Sequence, residues 1–244
     1  MKKKSSKSIL LSILALLAIY IYNNYQNEIN NFLSKYIFLE ETSAYEVISY
    51  DLNNIPEYNG EPYVIINNNE PFFNKGDLTT EEFEVYNDLD SLGRCTSVYA
   101  NISTKSMPTE ERGSIGSVKP TGWHTVKYDI VDGKYLYNRC HLIGYQLTGE
   151  NANKNNLITC TRQMNTGAML DFENMVAKYI KQTNNHVLYR ATPIFKEKNL
   201  LASGVLLEAI SIEDNGKGIK FNIYVYNIQD GIIIDYSTGE SYPE

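Results

Sequence analysis

The fold of this chain is decided by residues 125–143, which read TVKYDIVDGKYLYNRCHLI. Residues 125–131 and 135–143 are rich in the aromatic and β-branched side chains that favour strands. Asp132-Gly133 between them is a dipeptide typical of a two-residue hairpin turn. A helical pattern follows at residues 162–182, with its large apolar side chains on one face. This stretch therefore predicts a hairpin followed by a helix.

Other segments extend this unit into a single α+β domain with an antiparallel sheet. Residues 81–89 follow two threonines that can cap a helix, and we expect a helix there. Residues 104–122 are rich in Ser, Gly and Pro and predict a long exposed loop. Further strands are expected at residues 63–66, 98–102, 157–159, 186–192, 201–212 and 219–226.

The N-terminus has the pattern of a membrane-targeting segment. Four lysines within residues 2–7 precede an apolar run at residues 9–22. This order is typical of a signal anchor or a signal peptide. We assign residues 1–25 to that anchor helix, 26–44 to a juxtamembrane stalk and 45–244 to the catalytic domain. The lysines stay inside by the positive-inside rule, so the domain is expected outside the cell, either anchored in the cell membrane or secreted if the segment is cleaved.

Charge and cysteine content limit the classes of partner and metal site. The net charge of −7 argues against a uniformly basic nucleic-acid-binding surface. The acidic residues cluster before residue 90, however, and residues 94–139 carry more basic than acidic side chains, which allows a local basic face. The three cysteines include no C-x-x-C pair, which disfavours a cysteine-based zinc site. One disulfide with one free thiol, or three free thiols, both fit the sequence.

A set of polar residues around the predicted hairpin and helix suits phosphodiester hydrolysis. His141 titrates near neutral pH and can serve as a general base. Arg139 can donate two hydrogen bonds to a phosphate. Mg²⁺ keeps most of its waters when bound, so one amide oxygen such as that of Asn165 is enough to hold it. These residues indicate a hydrolase but do not identify one.

The sequence from residue 92 onward resembles the DNA/RNA non-specific endonucleases of the ββα-metal (His-Me finger) group, and in particular the DNA-entry nucleases of Gram-positive bacteria. The segments that carry the resemblance are residues 111–120, 122–124, 137–150, 155–159, 164–165, 172–176 and 234–240. The resemblance implies a ββα-metal core and a metal-dependent endonuclease that uses Mg²⁺, or Mn²⁺, on DNA and RNA substrates. It implies no protein partner.

The same resemblance assigns a role to each candidate residue. In the D-R-G-H motif of the family, the histidine is the general base and corresponds to His141, and the arginine corresponds to Arg139. The metal-binding asparagine corresponds to Asn165. Three further residues are implied in the catalytic site: a supporting asparagine, an acid that holds metal-bound waters and a phosphate-stabilising arginine, namely Asn156, Glu173 and Arg112.

Two departures from the motif leave alternatives open. Asn138 stands where the family has Asp, and Cys140 stands where it has Gly. In a strand, Arg139 and His141 share one face while Cys140 points to the other, which favours packing for Cys140 and excludes it as a nucleophile paired with His141. A catalytically impaired surface protein that binds nucleic acid is the main alternative. A structural cell-surface protein is the third reading, favoured by the acidic segment before Arg94.

Overall fold

A six-stranded antiparallel sheet forms the largest layer of the domain, in the strand order β1-β8-β7-β6-β3-β2. The computed structural model describes residues 55–244, which belong to one unit, Val47–Glu244. Two smaller antiparallel pairs, β4-β5 and β9-β10, accompany the sheet. The strands are β1 Tyr63–Ile65, β2 Phe83–Tyr86, β3 Val98–Ile102, β4 Tyr137–His141, β5 Leu157–Thr161, β6 Val187–Ile194, β7 Gly204–Ser211, β8 Lys220–Tyr226, β9 Ile232–Ile234 and β10 Ser241–Pro243.

The central strands β7 and β8 are buried on both faces, so nearly every side chain along them is inaccessible to solvent. This burial explains their almost continuous apolar sequences. β2 lies at the edge of the sheet and is only partly covered. Residues 81–89 therefore do not form the expected helix: the prediction was wrong because pairing of β2 with β3 outweighs the local helical pattern.

The hairpin-and-helix unit is present, but its two strands are not the two that the sequence indicated. β4 pairs with β5, which lies 15 residues further along the chain, and His141 stands opposite Leu157. Residues 127 and 135 meet only in an isolated bridge around the Asp132-Gly133 turn. The strand predicted at residues 125–131 was therefore wrong, whereas the turn at Asp132-Gly133 is present and the second predicted strand is found as β4. A turn dipeptide reports local geometry and carries no information on a partner beyond a loop.

Three α-helices complete this unit: α1 Tyr145–Thr148, α2 Arg162–Thr166 and α3 Ala168–Thr183. α1 lies in the connection between β4 and β5, and α2 directly follows β5. Gly167 separates α2 from α3 with a non-helical φ of −99° and ψ of −121°. The sequence predicted the helical region at residues 162–182, and the structure divides it into two helices at this glycine. Short 3-10 turns lie at Asn67–Asn69, Lys75–Asp77 and Lys154–Asn156.

Aromatic contacts fix α3 against the large sheet. The ring of Phe172 lies 5.1 Å from that of Tyr63 in β1 and 4.8 Å from that of Phe221 in β8, both edge to face. Asn227, at the end of β8, ties the β4-β5 pair to the same sheet. Its side chain accepts a hydrogen bond from the backbone of Thr161 and donates one to the backbone oxygen of Thr159. The unit that carries the candidate residues is thereby held rigidly.

A disulfide joins Cys140 in β4 to Cys160 in β5. Both side chains are fully buried, and Cys95 remains as a buried free thiol. Of the two arrangements compatible with the sequence, the structure has one bridge and one free cysteine. Cys140 thus packs away from solvent, and the crosslink holds β4 and β5 together.

Two expectations concern segments that the structure does not decide. The anchor helix in residues 1–25 and the stalk at residues 26–44 lie outside the described residues. Within residues 55–244, no helix has the length and apolar character needed to cross a membrane. The 104–122 loop is described, and it contains neither a helix nor a strand, as expected.

Candidate active site

His141 ends β4 and is almost fully buried, with both ring nitrogens engaged. Its Nε2 lies 2.7 Å from the backbone oxygen of Asn151, which can only accept, so Nε2 carries the proton. Its Nδ1 lies 3.3 Å from a guanidinium nitrogen of Arg112, which can only donate. Both contacts therefore select the neutral tautomer with a lone pair on Nδ1.

The surroundings of His141 also favour its neutral form. Burial lowers the pKa of the imidazole below its ordinary value, and the positive charge of Arg112 lowers the pKa further. The hydrogen bond to Asn151 opposes these effects without reversing them. A neutral imidazole at neutral pH is the state that a general base needs.

Arg112 reaches His141 from the long 104–122 loop, which is fastened to the domain along its length. Ser106 donates a hydrogen bond to the backbone oxygen of Leu147 in α1, at 3.0 Å. The hydroxyl of Tyr145, also in α1, donates to the backbone oxygen of Glu110 at 2.8 Å. The loop is therefore a fixed wall beside His141, although it has no regular secondary structure.

Glu173 brings a carboxyl group to the same place from α3. Burial raises its pKa to about 8, although hydrogen bonds from Gln146 and the backbone of Gly144 and the charge of Arg112 lower it. Gly144 lies three residues after His141, so Glu173 sits just beyond the end of β4. At neutral pH this carboxyl is largely protonated, and a nearby cation would favour its ionised form.

The close approach of Glu173 depends on the absence of a side chain at Gly144. A Cβ atom at this position would lie 2.6 Å from the carboxyl carbon of Glu173. Gly144 has φ −60° and ψ 145°, a backbone conformation that alanine also adopts. The glycine is therefore required for space and not for backbone freedom.

Replacing Gly144 by alanine is expected to lower the rate of the phosphodiester hydrolysis predicted from the sequence about 10- to 100-fold, because Glu173 must move. The matched control is Gly76→Ala, where an added Cβ meets nothing within 4 Å. Plasmid nicking and thermal unfolding are measured for both variants. A Gly144→Ala protein that nicks at the parent rate would show that the position of Glu173 is unimportant.

Asn165 lies in α2, and its side chain is half-buried. It makes no side-chain hydrogen bond to any other residue between 55 and 244, so its amide oxygen is available to a ligand. Since α2 directly follows β5, it begins beside Tyr137, the first residue of β4. α2 continues through Gly167 into α3, the helix that brings Glu173 next to Gly144.

Asn156 is completely buried and holds the turn after His141. Its side-chain oxygen accepts a hydrogen bond from the backbone nitrogen of Ile143 at 2.9 Å, and its nitrogen donates to the oxygen of the same residue at 3.0 Å. Its backbone oxygen also accepts from Leu142, at 2.9 Å. The structure thus brings Asn156 to the site as a support for the segment between His141 and Gly144.

Arg139 faces the same side of β4 as His141, but much of its guanidinium is occupied. Nε donates to the backbone oxygen of Val118, and Nη2 donates to that of Gly116 at 2.9 Å. The guanidinium carbon lies 3.9 Å from the ring of Trp123. Arg139 therefore anchors the far end of the 104–122 loop, a role that the sequence did not indicate.

Three residues of the site were missed as functional candidates in the sequence. Trp123 covers Arg139, Gly144 makes room for Glu173, and Asn151 fixes the tautomer of His141. Trp123 is the single tryptophan of the sequence and directly follows the polar loop, and this was the one sequence feature that could have pointed to it. Asn151 acts through its backbone, and Gly144 acts through a missing side chain, so their residue types gave no indication.

No group of three or more His, Cys, Asp or Glu residues suited to a metal ion occurs within the described part of the chain. Among the candidate residues, the amide of Asn165 and the carboxyl of Glu173 carry oxygens of the kind that binds a cation. This donor set suits a hard cation that retains most of its waters.

Comparison with known proteins places this geometry in a family. A model of the DNA/RNA non-specific endonuclease domain matches residues 74–212. A deoxyribonuclease from Streptococcus dysgalactiae subsp. equisimilis is 28% identical over 198 residues, a match that covers 64% of this chain and 59% of the relative. The chain thus spans about three fifths of the length of that relative.

Solved structures of two nucleases have a similar fold. NucA from Streptococcus agalactiae with a bound magnesium ion is 26% identical, with a TM-score of 0.65 over 74% of this chain and 86% of NucA. Sda1 nuclease with a bound zinc ion is 28% identical, with a TM-score of 0.59 over 66% of this chain and 81% of Sda1. Since the family model matches more than half of the sequence, the chain belongs to the DNA/RNA non-specific endonuclease family.

Proposed function

We propose that the chain is a metal-dependent endonuclease that hydrolyses phosphodiester bonds of DNA and RNA with little sequence preference. The observation that carries this proposal is the state of His141, a buried neutral imidazole with its proton fixed on Nε2 and its lone pair on Nδ1. Contacts of the candidate groups would go to phosphate and sugar, which carry no sequence information.

In this proposal His141 activates the attacking water. Nδ1 takes a proton from the water as the water oxygen bonds to the phosphorus. The bond from phosphorus to the leaving oxygen breaks, and that oxygen takes a proton from solvent. The backbone oxygen of Asn151 accepts a hydrogen bond from Nε2 and so stabilises the imidazolium that forms. Asn156 and Arg139 act indirectly. Asn156 holds the backbone after His141, and Arg139 holds the loop that presents Arg112.

In this proposal Arg112 contacts His141 in the free enzyme and contacts the phosphate once substrate binds. Without substrate, its guanidinium donates weakly to Nδ1 of His141, over 3.3 Å. A phosphate is the stronger acceptor because it is charged, and it draws the guanidinium away from the imidazole. Substrate binding thereby frees the lone pair of the base and places a positive charge against the phosphate. The Arg139 donors that are not used by the loop can add to that charge.

The residues present fit a hydrated divalent cation such as Mg²⁺ or Mn²⁺. Asn165 would hold it directly through its unpaired amide oxygen, and Glu173 would hold its waters, with the cation lowering the pKa of this buried carboxyl. When bound, such a cation supplies Lewis-acid stabilisation of the charge on the phosphate oxygens. The magnesium ion in NucA supports the choice of metal.

We also propose that the enzyme works outside the cell, attached to the cell membrane through residues 1–25 or secreted after their removal. The lysine-rich start and the apolar run in the sequence support this location. The Cys140–Cys160 disulfide supports it as well, because disulfides persist in oxidising compartments. Cell fractionation with an antibody to the domain tests the location.

The experiment that tests the activity is a pH profile of nicking with the purified full-length chain, supercoiled plasmid and Mg²⁺. The base must be neutral, so the rate is expected to fall at acid pH, tenfold per pH unit, as His141 becomes protonated. Because the pKa of His141 is lowered, the midpoint of this fall is expected below 6.5, the ordinary value.

Two results would contradict the proposal. DNA binding without nicking at any pH would favour the catalytically impaired binding protein, for which Asn138 and Cys140 are the supporting departures from the family motif. A midpoint above 6.5 would exclude His141 as the group that titrates. A parallel digest of single-stranded RNA decides whether the substrates include RNA.

A further inference from the structure

A cavity of about 110 Å³ lies beside the candidate site, next to the point where Arg139 fastens the 104–122 loop. Three parts of the chain form it: the end of that loop, the segment before β3, and the start of β5. Its apolar lining includes Leu89, Val118, Pro120, Leu157 and Ile158. Engineered cavities of roughly 150 Å³ hold a single benzene ring, so this smaller space, which is partly open to solvent, admits one ring only in part, by its edge.

The cavity is close to His141 through two direct connections. Leu157 in its lining is the residue paired with His141 across the β4-β5 ladder, and neighbouring strands lie about 4.8 Å apart. Val118 in its lining accepts the hydrogen bond from Arg139, two residues from His141 along β4, a distance of roughly 7 Å. The cavity thus lies about one nucleotide step from the candidate base.

Two lysines from separate segments converge on this cavity. Lys119 comes from the 104–122 loop, and Lys154 comes from the 3-10 turn before β5. Both side chains are exposed, and neither forms an ion pair with a carboxylate among residues 55–244. An apolar space for one ring with two unpaired ammonium groups matches a nucleotide, which has a flat base and a negatively charged phosphate.

We propose that this cavity is a subsite for the nucleotide that flanks the scissile phosphate, with its base unpaired and its phosphates held by Lys119 and Lys154. The inference rests on the proposed function, because it deepens the substrate class of the same site. A base that belongs to a pair cannot enter a space that admits only one ring, by its edge. The enzyme therefore binds single-stranded nucleic acid, or a locally unpaired strand, with higher affinity than an intact duplex.

The test is the binding of a labelled single-stranded oligonucleotide, measured by fluorescence anisotropy at several salt concentrations. The parent is the full-length His141→Ala chain, which prevents cleavage during the measurement. In the double variant Lys119→Gln/Lys154→Gln, two phosphates of the single strand are no longer neutralised. The dissociation constant is therefore expected to rise roughly tenfold, and the log–log salt slope to fall by about 1.4. The matched control is Lys178→Gln/Lys181→Gln, two exposed lysines on α3 with the same loss of charge.

The outcomes separate the subsite from the function. An unchanged salt slope in the double variant, or an equal change in the control, would overturn the subsite. So would an equal loss of affinity for the duplex of the same sequence, because a paired base gains nothing from the cavity. Hydrolysis of bis(p-nitrophenyl) phosphate by the chain with His141 intact reports the proposed function separately, since that diester carries no flanking nucleotide.

Discussion

Replacing His141 by alanine is expected to slow plasmid nicking by about 10²- to 10⁴-fold, the usual contribution of a general base. The chain should stay folded, because the change removes two hydrogen bonds and leaves the β4-β5 disulfide in place. The cavity left by the ring is expected to accept free imidazole, which should restore part of the rate. Nicking with and without added imidazole, together with circular dichroism, measures the effect.

His186→Ala is the matched control for this experiment. His186 directly precedes β6 and pairs with Glu213, with Nδ1 2.6 Å from the carboxylate, and no candidate residue contacts it. Loss of a partly exposed ion pair costs about 0–1 kcal/mol and should leave the nicking rate unchanged. A His141→Ala protein that nicks as fast as the His186→Ala control would remove His141 from the mechanism.

Removal of divalent metal is expected to abolish nicking, and Asn165→Ala is expected to raise the Mg²⁺ concentration needed for half-maximal rate about 10- to 100-fold or more. Asn165 offers the one direct amide ligand in this proposal, and Glu173 acts only through metal-bound water, so loss of the Asn165 oxygen should weaken binding of the cation. The measurements are nicking after treatment with EDTA, and Mg²⁺ titrations of the parent and the variant.

Thr166→Ala provides the control for Asn165, since Thr166 is the next residue of α2 and its hydroxyl bonds only to the backbone of Arg162. The Thr166→Ala variant should need the same Mg²⁺ concentration for half-maximal rate as the parent. Nicking that survives EDTA, or an Asn165→Ala protein with the Mg²⁺ requirement of the parent, would contradict the assignment of the metal site.

The sequence predicted the identity of the core elements better than their pairing. The sequence showed strands at residues 98–102 and 219–226 and the helical region at residues 162–182, because their periodicity is local. The partner of β4 was not visible, since β5 lies beyond a 15-residue connection that includes α1. Pairing across such a connection depends on burial against the large sheet, which a single sequence does not display.

The candidate site also has features that could be predicted from the sequence and features that could not. His141 could be proposed as a base from its residue type, and Glu173 was proposed from the resemblance to the endonuclease family. The fastening of the 104–122 loop by Arg139 could not, because it uses backbone oxygens of Val118 and Gly116. The tautomer of His141 likewise depends on a backbone oxygen, that of Asn151, which any residue type could supply.

The crosslink between Cys140 and Cys160 ties the integrity of the strand that ends in His141 to the redox state of its surroundings. Its two cysteines are 20 residues apart, and closing a loop of that size removes unfolded-chain entropy equivalent to about 3 kcal/mol. In a reducing compartment the thiols stay separate and this contribution is absent. A newly made chain would then reach its full stability only after the disulfide forms. Production in a reducing cytosol should therefore yield a less stable protein than export to an oxidising compartment.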